Sequence, residues 1–174
     1  IRQKAQFELA DRDNKGYKAF VTAIDQKENQ LARIHAIWGI GQLARKKMER
    51  AQPLLNLLKD NDPEIVAQTA KILGDVKYNN AGKEFISLLK HENARVRFFA
   101  AQALGMIAEK NAVEPLLTML EANKDEDLYL RHAGVLALSR IGEVAPIVAL
   151  AHSKNRSLRI AAVLVLRRLQ NEQV

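Results

Sequence analysis

Apolar positions along this chain recur in a fixed frame. The clearest copy is Ala94 to Glu109, ARVRFFAAQALGMIAE, where Arg97 is preceded by Val96 and followed by Ala100, Leu104 and Ile107. With Arg97 as position zero, the anchors are Arg2, Arg33, Val66, Arg97, Arg131 and Arg159, spaced by 31, 33, 31, 34 and 28 residues. Position −1 holds Ile1, Ala32, Ile65, Val96, Leu130 and Leu158, and position +3 holds Ala5, Ala36, Thr69, Ala100, Gly134 and Ala162. Position +7 holds Leu9, Ile40, Leu73, Leu104, Leu138 and Leu166, and +10 holds Leu43, Val76, Ile107, Ile141 and Leu169. Offsets of −1, +3, +7 and +10 share one face of a helix. The small residue at +3 lets a neighbouring helix come close. Gly41, Gly74 and Gly105 at +8 either do the same or mark a helix end, since each weakens a helix by about 1 kcal/mol relative to Ala.

Shorter apolar-periodic segments lie between these framed helices: Tyr17–Gln26, Pro53–Lys59, Lys83–Lys90, Val113–Glu121 and Val144–Ala151. The pattern predicts two antiparallel helices per repeat, A and then B, with the framed helix as B. It gives eleven helices in the order B-(A-B)×5. Punctuation fits. Asp11 to Gly16, DRDNKG, predicts a turn relaxed by Gly16. Asn29, Asp62 and Asn93 are placed to cap B helices, and Asn155 begins the last one. Pro53, Pro115 and Pro146 mark A-helix starts. Asn123 to Asp127, NKDED, predicts a longer acidic turn.

A period near thirty residues marks a stacked-repeat protein. The phrase Asp62-Pro63-Glu64-Ile65-Val66 with Ala70 and Leu73-Gly74 resembles the turn-and-helix signature of HEAT repeats, most closely the HEAT-like repeats named after phycobilisome lyases. Arg95-Val96-Arg97 through Leu104-Gly105 resembles it too. The resemblance covers nearly the whole chain and implies an all-α fold, a right-handed α-solenoid of HEAT-like helical hairpin repeats. In HEAT repeats, arginines and acidic side chains form a ladder between units. Arg33, Arg97 and Arg131 follow Glu28, Glu92 and Asp125 or Asp127, so the resemblance assigns them that role, with a gap at Val66. A narrower resemblance joins AQFELADRDNKG and ARIHAIWGIGQLAR to the HEAT segment of large bacterial membrane-bound dehydrogenase-like proteins, which also carry a c-type cytochrome. It implies a spacer or docking platform in an exported redox protein, hence a periplasmic location. Without it, a cytoplasmic location is expected.

Length and composition change this picture little. The chain of 174 residues is expected to form one repeat domain, 1–174, of about five and a half repeats. The first A helix is missing, and Asn171 to Val174 offer no polar cap, so a fragment of a longer protein is expected. A hydrophobic content of 48% with only 5% aromatic suits packing through Ala, Leu, Ile and Val. The absence of Cys excludes disulfides, thiolate metal sites and Cys nucleophiles. No apolar run is long enough for a membrane helix. The net charge of +7 permits an acidic partner. Arg45, Lys46, Lys47 and Arg50 form the densest basic cluster, placed where cations complement the dipole at a helix C-terminus.

Candidate chemistry is sparse. His91-Glu92 resembles one of the His-Glu pairs by which HEAT-repeat deoxyhypusine hydroxylases hold two irons, but His35, His132 and His152 have no following Glu. A metal centre requires several converging ligands, so no metal and no cofactor is expected. HEAT-like DNA glycosylases use aromatic and acidic residues on the concave face, and Trp38, the one Trp, has no matching acidic partner. There is no phosphate-binding glycine motif, and no enzyme activity is expected. By the same resemblance, B helices line the concave face. Offsets +2, +5 and +9 point away from the core and nominate Phe7, His35, Trp38, Gln42, Lys71, Phe99, Gln102, Met106 and Arg140 as a binding surface. Aromatics and amides among charges of both signs fit a protein or peptide, including neighbouring domains of the same parent chain. The alternative for Phe7, Trp38 and Phe99 is packing between B helices. A nucleic-acid groove needs a more uniform cationic stripe. Nucleic-acid binding through Arg45–Arg50 and Arg156–Arg168, or a bilin lyase-like enzyme, are the alternative functions.

Overall fold

In a computed structural model of the chain, which describes residues 1–170, the helices follow in the predicted order. They are α1 (Arg2–Asp11), α2 (Asn14–Ile24), α3 (Gln30–Ala44), a 3₁₀ helix (Met48–Lys59), α4 (Pro63–Asp75), a 3₁₀ turn (Asn79–Ala81) leading into α5 (Gly82–Leu88), and α6 (Ala94–Met106). A 3₁₀ turn (Lys110–Ala112) then leads into α7 (Val113–Asn123), followed by α8 (Leu128–Ile141), α9 (Val144–Ala149) with its 3₁₀ extension (Leu150–His152), and α10 (Arg156–Leu169). The described residues contain no strand, and the fold is an all-α solenoid of helical hairpins. Asn171 to Val174 lie outside the described residues.

Five side chains start five B helices. Asn29, Asp62, Asn93, Asp127 and Asn155 accept backbone N–H bonds of 2.9–3.4 Å from the turns that open α3, α4, α6, α8 and α10. Each occupies donors that the helix start cannot satisfy itself. Asp127 does this from within the acidic turn, a role that its acidic neighbours obscure in the sequence. The 3₁₀ helix departs from expectation, because it begins five residues before Pro53. Its early start is fixed by buried Arg50, which binds the Asp13 carboxylate and donates to Asn14 Oδ1 at 2.6 Å. Arg50 also lies 5.5 Å from the centre of the Tyr17 ring.

The chain divides into two compact units, Ile1–Ala81 and Gly82–Val174. In the first, α3 is central and packs against α1, α2, the 3₁₀ helix and α4. In the second, α8 packs against α6, α7 and α10, while α5 lies on α6. From α4 onward the −1, +3 and +7 positions are all buried, as in Ile65, Thr69 and Leu73 or Val96, Ala100 and Leu104. The same row is open on α1, where Ile1 and Ala5 are exposed.

Close approach explains two of the +8 glycines. A Cβ on Gly105 would stand 2.7 Å from Ala137 Cα, so α6 and α8 touch backbone to backbone there. A Cβ on Gly41 would stand 2.5 Å from Ile72 Cγ2. Gly16 corrects the turn assignment. It lies inside α2, and a Cβ on it would overlap the Leu9 carbonyl oxygen at 1.7 Å. Its role is therefore contact with α1 and not backbone relaxation.

One register position was not evident from the apolar pattern. Position +11 turns left-handed at Asp13, Lys77, Ala108, Gly142 and Gln170. At Lys77 and Ala108 the chain closes Schellman motifs: Tyr78 N–H donates to Leu73 O at 2.9 Å and Glu109 N–H to Leu104 O at 3.1 Å. Of these, Gly142 is the one glycine, and Lys77, Ala108 and Gln170 take this conformation against their preference. Ala108 has φ of 52°, which strains an L-residue by about 1–2 kcal/mol. Ala108→Gly removes that strain at a cost of about 0.4–1 kcal/mol through the freer unfolded chain. The exposed methyl group contributes no core packing. The variant is expected to gain about 0.5–1 kcal/mol in urea unfolding, and a loss would mean that the α6 end does not turn this way.

The anchor arginines divide into two kinds. Arg97 donates to the His91 and Glu92 carbonyls, both at 2.7 Å, and Arg159 to the Ser153 carbonyl at 2.7 Å. Arg131 binds the Asp125 carboxylate at 2.7 Å. These bonds close the A–B turn of their own hairpin. Arg33 does more. Its Nε donates to Ile24 O at 2.7 Å, and its two terminal nitrogens reach the Asp60 carboxylate at 3.3 and 2.5 Å. Asp60 stands six residues before Val66, where the missing anchor arginine would have used it. The ladder expected from Glu28 and Glu92 carboxylates is thus replaced by turn closure, with Arg33 bridging to the next repeat across the gap.

Candidate functional site

The nominated residues fall in both units. In the first unit, two of them, His35 and Trp38, belong to a line of polar and ring contacts across three B helices. Gln6 on α1 meets His35 on α3, with Oε1 and Nδ1 2.9 Å apart. His35 and Trp38 pack edge to face at 5.2 Å. The Trp38 indole N–H donates to Gln68 Oε1 on α4 at 2.9 Å, and Gln68 donates to Glu64 at 2.7 Å. Trp38 and His35 are half-buried: the polar edge of Trp38 fastens α3 to α4 while part of the side chain stays accessible.

Phe7 is 46% exposed and lines a cleft of about 380 Å³ with Asp11, Gln42 and Lys46. Gln42 Oε1 is buried there without a protein partner among the described residues. Lys71 is half-buried and pairs with Asp75 along α4 at 2.9 Å. In the second unit, Gln102 and Met106 are half-buried on α6 and Arg140 is exposed on α8. The Arg140 stem passes close to Gly105, its Cδ 3.4 Å from where a Cβ would be.

Phe99 is the exception. It is 8% exposed, packed edge to face on Phe98 at 5.1 Å and covered by the Arg95 guanidinium at 5.0 Å. The reason is angular. At about 100° per residue, +2 stands roughly a right angle from the core direction, whereas +5 stands roughly 150° from it. The +2 row therefore falls on the flank of each B helix, where the neighbouring helix covers it. Gln68, Phe99, Ala133 and Ala161 are all buried, and His35 is half-buried. The accessible surface is the +5 and +9 rows.

A cleft of about 550 Å³ lies elsewhere, at the A–B turns around Arg97 and Asp127. His91 lines it as a turn residue, its Nδ1 accepting the Asn93 N–H at 3.0 Å. No group of three or more possible metal ligands gathers among the described residues. Of the basic cluster, Arg45, Lys46 and Lys47 are exposed, whereas Arg50 is committed to Asp13. That hydrogen bond holds the Asp13 carboxyl below its ordinary range against the effect of burial, helped by the charges of Arg50, Lys47 and Lys46. None of the described helices is long and apolar enough to cross a membrane.

Residues 51–139 match the family model described as HEAT repeats. No curated protein matches the sequence. Among solved structures, the complex of CpcE and CpcF of phycocyanin lyase from Nostoc sp. PCC7120 is similar at TM-score 0.70 and 21% identity. That alignment covers 88% of this chain and 64% of the other. An engineered protein is similar at TM-score 0.63 and 16% identity, covering 97% of this chain and 90% of that one. A designed armadillo repeat protein in complex with the peptide (KR)4 is similar at TM-score 0.55 and 16% identity, over 95% and 90% of the two chains. At these identities the likeness is one of fold. The resemblance to membrane-bound dehydrogenase-like proteins finds no support among these matches.

Proposed function

Because the chain belongs to the HEAT repeat family, we propose that it is a non-catalytic interaction or scaffolding module, binding a protein or peptide segment on the outward rows of its B helices. The supporting observation is the makeup of the +5 and +9 rows. Phe7, Trp38, Gln42, Lys71, Gln102, Met106 and Arg140 all keep accessible surface, and mix aromatic and thioether groups with amides and single charges. Aromatic and Arg side chains of this kind carry most of the energy in protein contacts. Side chains already fixed on packed helices lose little freedom on binding. Two similar structures, CpcE with CpcF and the designed armadillo protein with (KR)4, are complexes with a protein or peptide. Charges of both signs in the rows, with Asp11 and Asp75 among the cations, favour such a partner over a nucleic-acid backbone.

The test centres on Trp38. A peptide array probed with the protein selects ligands, whose affinities are then measured by calorimetry. Trp38→Ala is expected to weaken the best ligand by about 2 kcal/mol, roughly thirtyfold. Its cost in stability should stay below the ~3–5 kcal/mol of a fully buried Trp. Acrylamide should quench the wild-type emission in part, matching a half-buried ring. Unquenched blue-shifted emission together with unchanged affinity in the variant excludes Trp38 from the site. A bilin retained by the protein or passed to an acceptor would favour a lyase-like activity instead.

A further inference from the structure

From Val144 to Gln170 the chain contains no acidic residue and carries Lys154, Arg156, Arg159, Arg167 and Arg168. Two of these cations, Arg167 and Arg168 near the end of α10, line a cleft of about 440 Å³ with Leu128, Arg131, His132 and Leu164. Arg167 and Arg168 are exposed and have no ion-pair partner among the described residues. Arg131 is held in place by Asp125 at 2.7 Å, with its side chain still 29% exposed. Three guanidinium groups thus line one opening, and of these the Arg131 group is paired with a carboxylate. The opening is not purely polar. Leu128, 57% exposed, and half-buried Leu164 also line it.

We propose that this cleft between α8 and α10 is a docking site for an acidic peptide segment in which carboxylate and apolar side chains alternate. The guanidinium groups offer paired donors to carboxylates, the geometry in which Arg–carboxylate bonds are strongest. Leu128 and Leu164 give the intervening apolar side chains a surface. A nucleic-acid strand fits the same residues less well. Arg156 and Arg159 sit about 16 and about 12 Å along α10 from Arg167. The stretch between them, Ile160 to Leu166, is apolar, so α10 offers two separate charges and not a track for phosphates. The site does not depend on the Trp38 surface, and the two can be tested apart.

The experiment uses fluorescence anisotropy at several salt concentrations with three labelled probes: a peptide alternating Glu and Leu, its Lys-for-Glu counterpart, and a single-stranded oligonucleotide. The wild-type protein is expected to bind the Glu-Leu peptide at least tenfold more tightly than the other two. Arg167→Glu with Arg168→Glu should remove at least tenfold of that affinity. Arg156→Glu with Arg159→Glu, which changes net charge equally at the other end of α10, should change it by less than threefold. All four positions are exposed, and circular dichroism checks that both double variants stay helical. Equal losses in the two double variants would show general charge attraction and overturn the site. So would tighter binding of the oligonucleotide or of the Lys-Leu peptide.

Discussion

Arg33→Met is expected to lower the unfolding free energy by about 3–5 kcal/mol, because it leaves one half of a buried ion pair behind. The Arg33 side chain is 4% exposed and that of Asp60 16%. Met fills the volume of the stem but supplies none of the three donors that Arg33 aims at Ile24 O and Asp60. The Ile24 carbonyl ends α2 and loses its side-chain donor. Asp60 keeps the Asp62 N–H at 2.9 Å and little else. Urea unfolding at pH 7 measures the loss, and a loss under 1 kcal/mol would show that water replaces the guanidinium freely. Acid provides a second reading. Burial pushes the Asp60 carboxyl upward, but the Arg33 hydrogen bond, the Asp62 N–H and the charges of Arg33 and Lys27 outweigh it and hold it below its ordinary range. A carboxyl lowered on folding stabilises fully above its unfolded pKa, about 4, and ceases to do so as pH falls through the lower folded value. The gap between wild type and Arg33→Met should therefore narrow below about pH 4. A gap constant from pH 7 to pH 2 would exclude Asp60 as the partner.

Leu104→Ala is expected to cost about 2–5 kcal/mol, the range for a buried Leu truncated in a packed core. Leu104 is fully buried at +7 of α6, and its carbonyl accepts the Glu109 N–H that closes the helix end. The position of the cost within that range depends on how far neighbours relax into the cavity. Here relaxation is limited, since α6 and α8 already touch backbone to backbone at Gly105 and Ala137. Gln102→Ala, on the opposite side of the same helix, should stay within about ±0.5 kcal/mol. A Leu104→Ala change as small as that would put the frame in the wrong register.

Core positions were legible in the sequence because helices repeat every 3.6 residues and the A helices cover one face only. From α4 onward the rows at −1, +3 and +7 needed nothing more, and the caps at Asn29, Asp62, Asn93 and Asn155 followed from Asn and Asp at the turn, whereas Asp127 was hidden in its acidic run. What one chain's pattern cannot encode is which flank meets a neighbour. Phe99 and Gln68 share the polar-looking +2 position with His35, yet the stack closes over the first two. Arg50 looked like one more member of a basic run, and only the fold brings Asp13, thirty-seven residues away, to it. The left-handed +11 position is invisible for the opposite reason: Lys77 and Ala108 are there despite their local preference, each closing the end of its helix. The apolar pattern points Trp38 away from the core, but the Gln68 bond that holds its edge depends on contact between successive repeats.

The two units are fastened by different means. In the first, successive repeats are joined by side-chain bonds: Gln6 to His35, Gln30 to Asp62, Arg33 to Asp60, Trp38 to Gln68 and Arg50 to Asp13. In the second, the described links of this kind are the exposed pairs Lys110 with Glu143 and Asn155 with Glu121, and cohesion rests on apolar contact such as that at Gly105. Apolar burial carries a large heat-capacity change and fades on cooling, whereas hydrogen-bonded ion pairs respond to protons and solutes. Acid, which neutralises the Asp13 and Asp60 acceptors, is therefore expected to act as a release catch on the seams of the first unit.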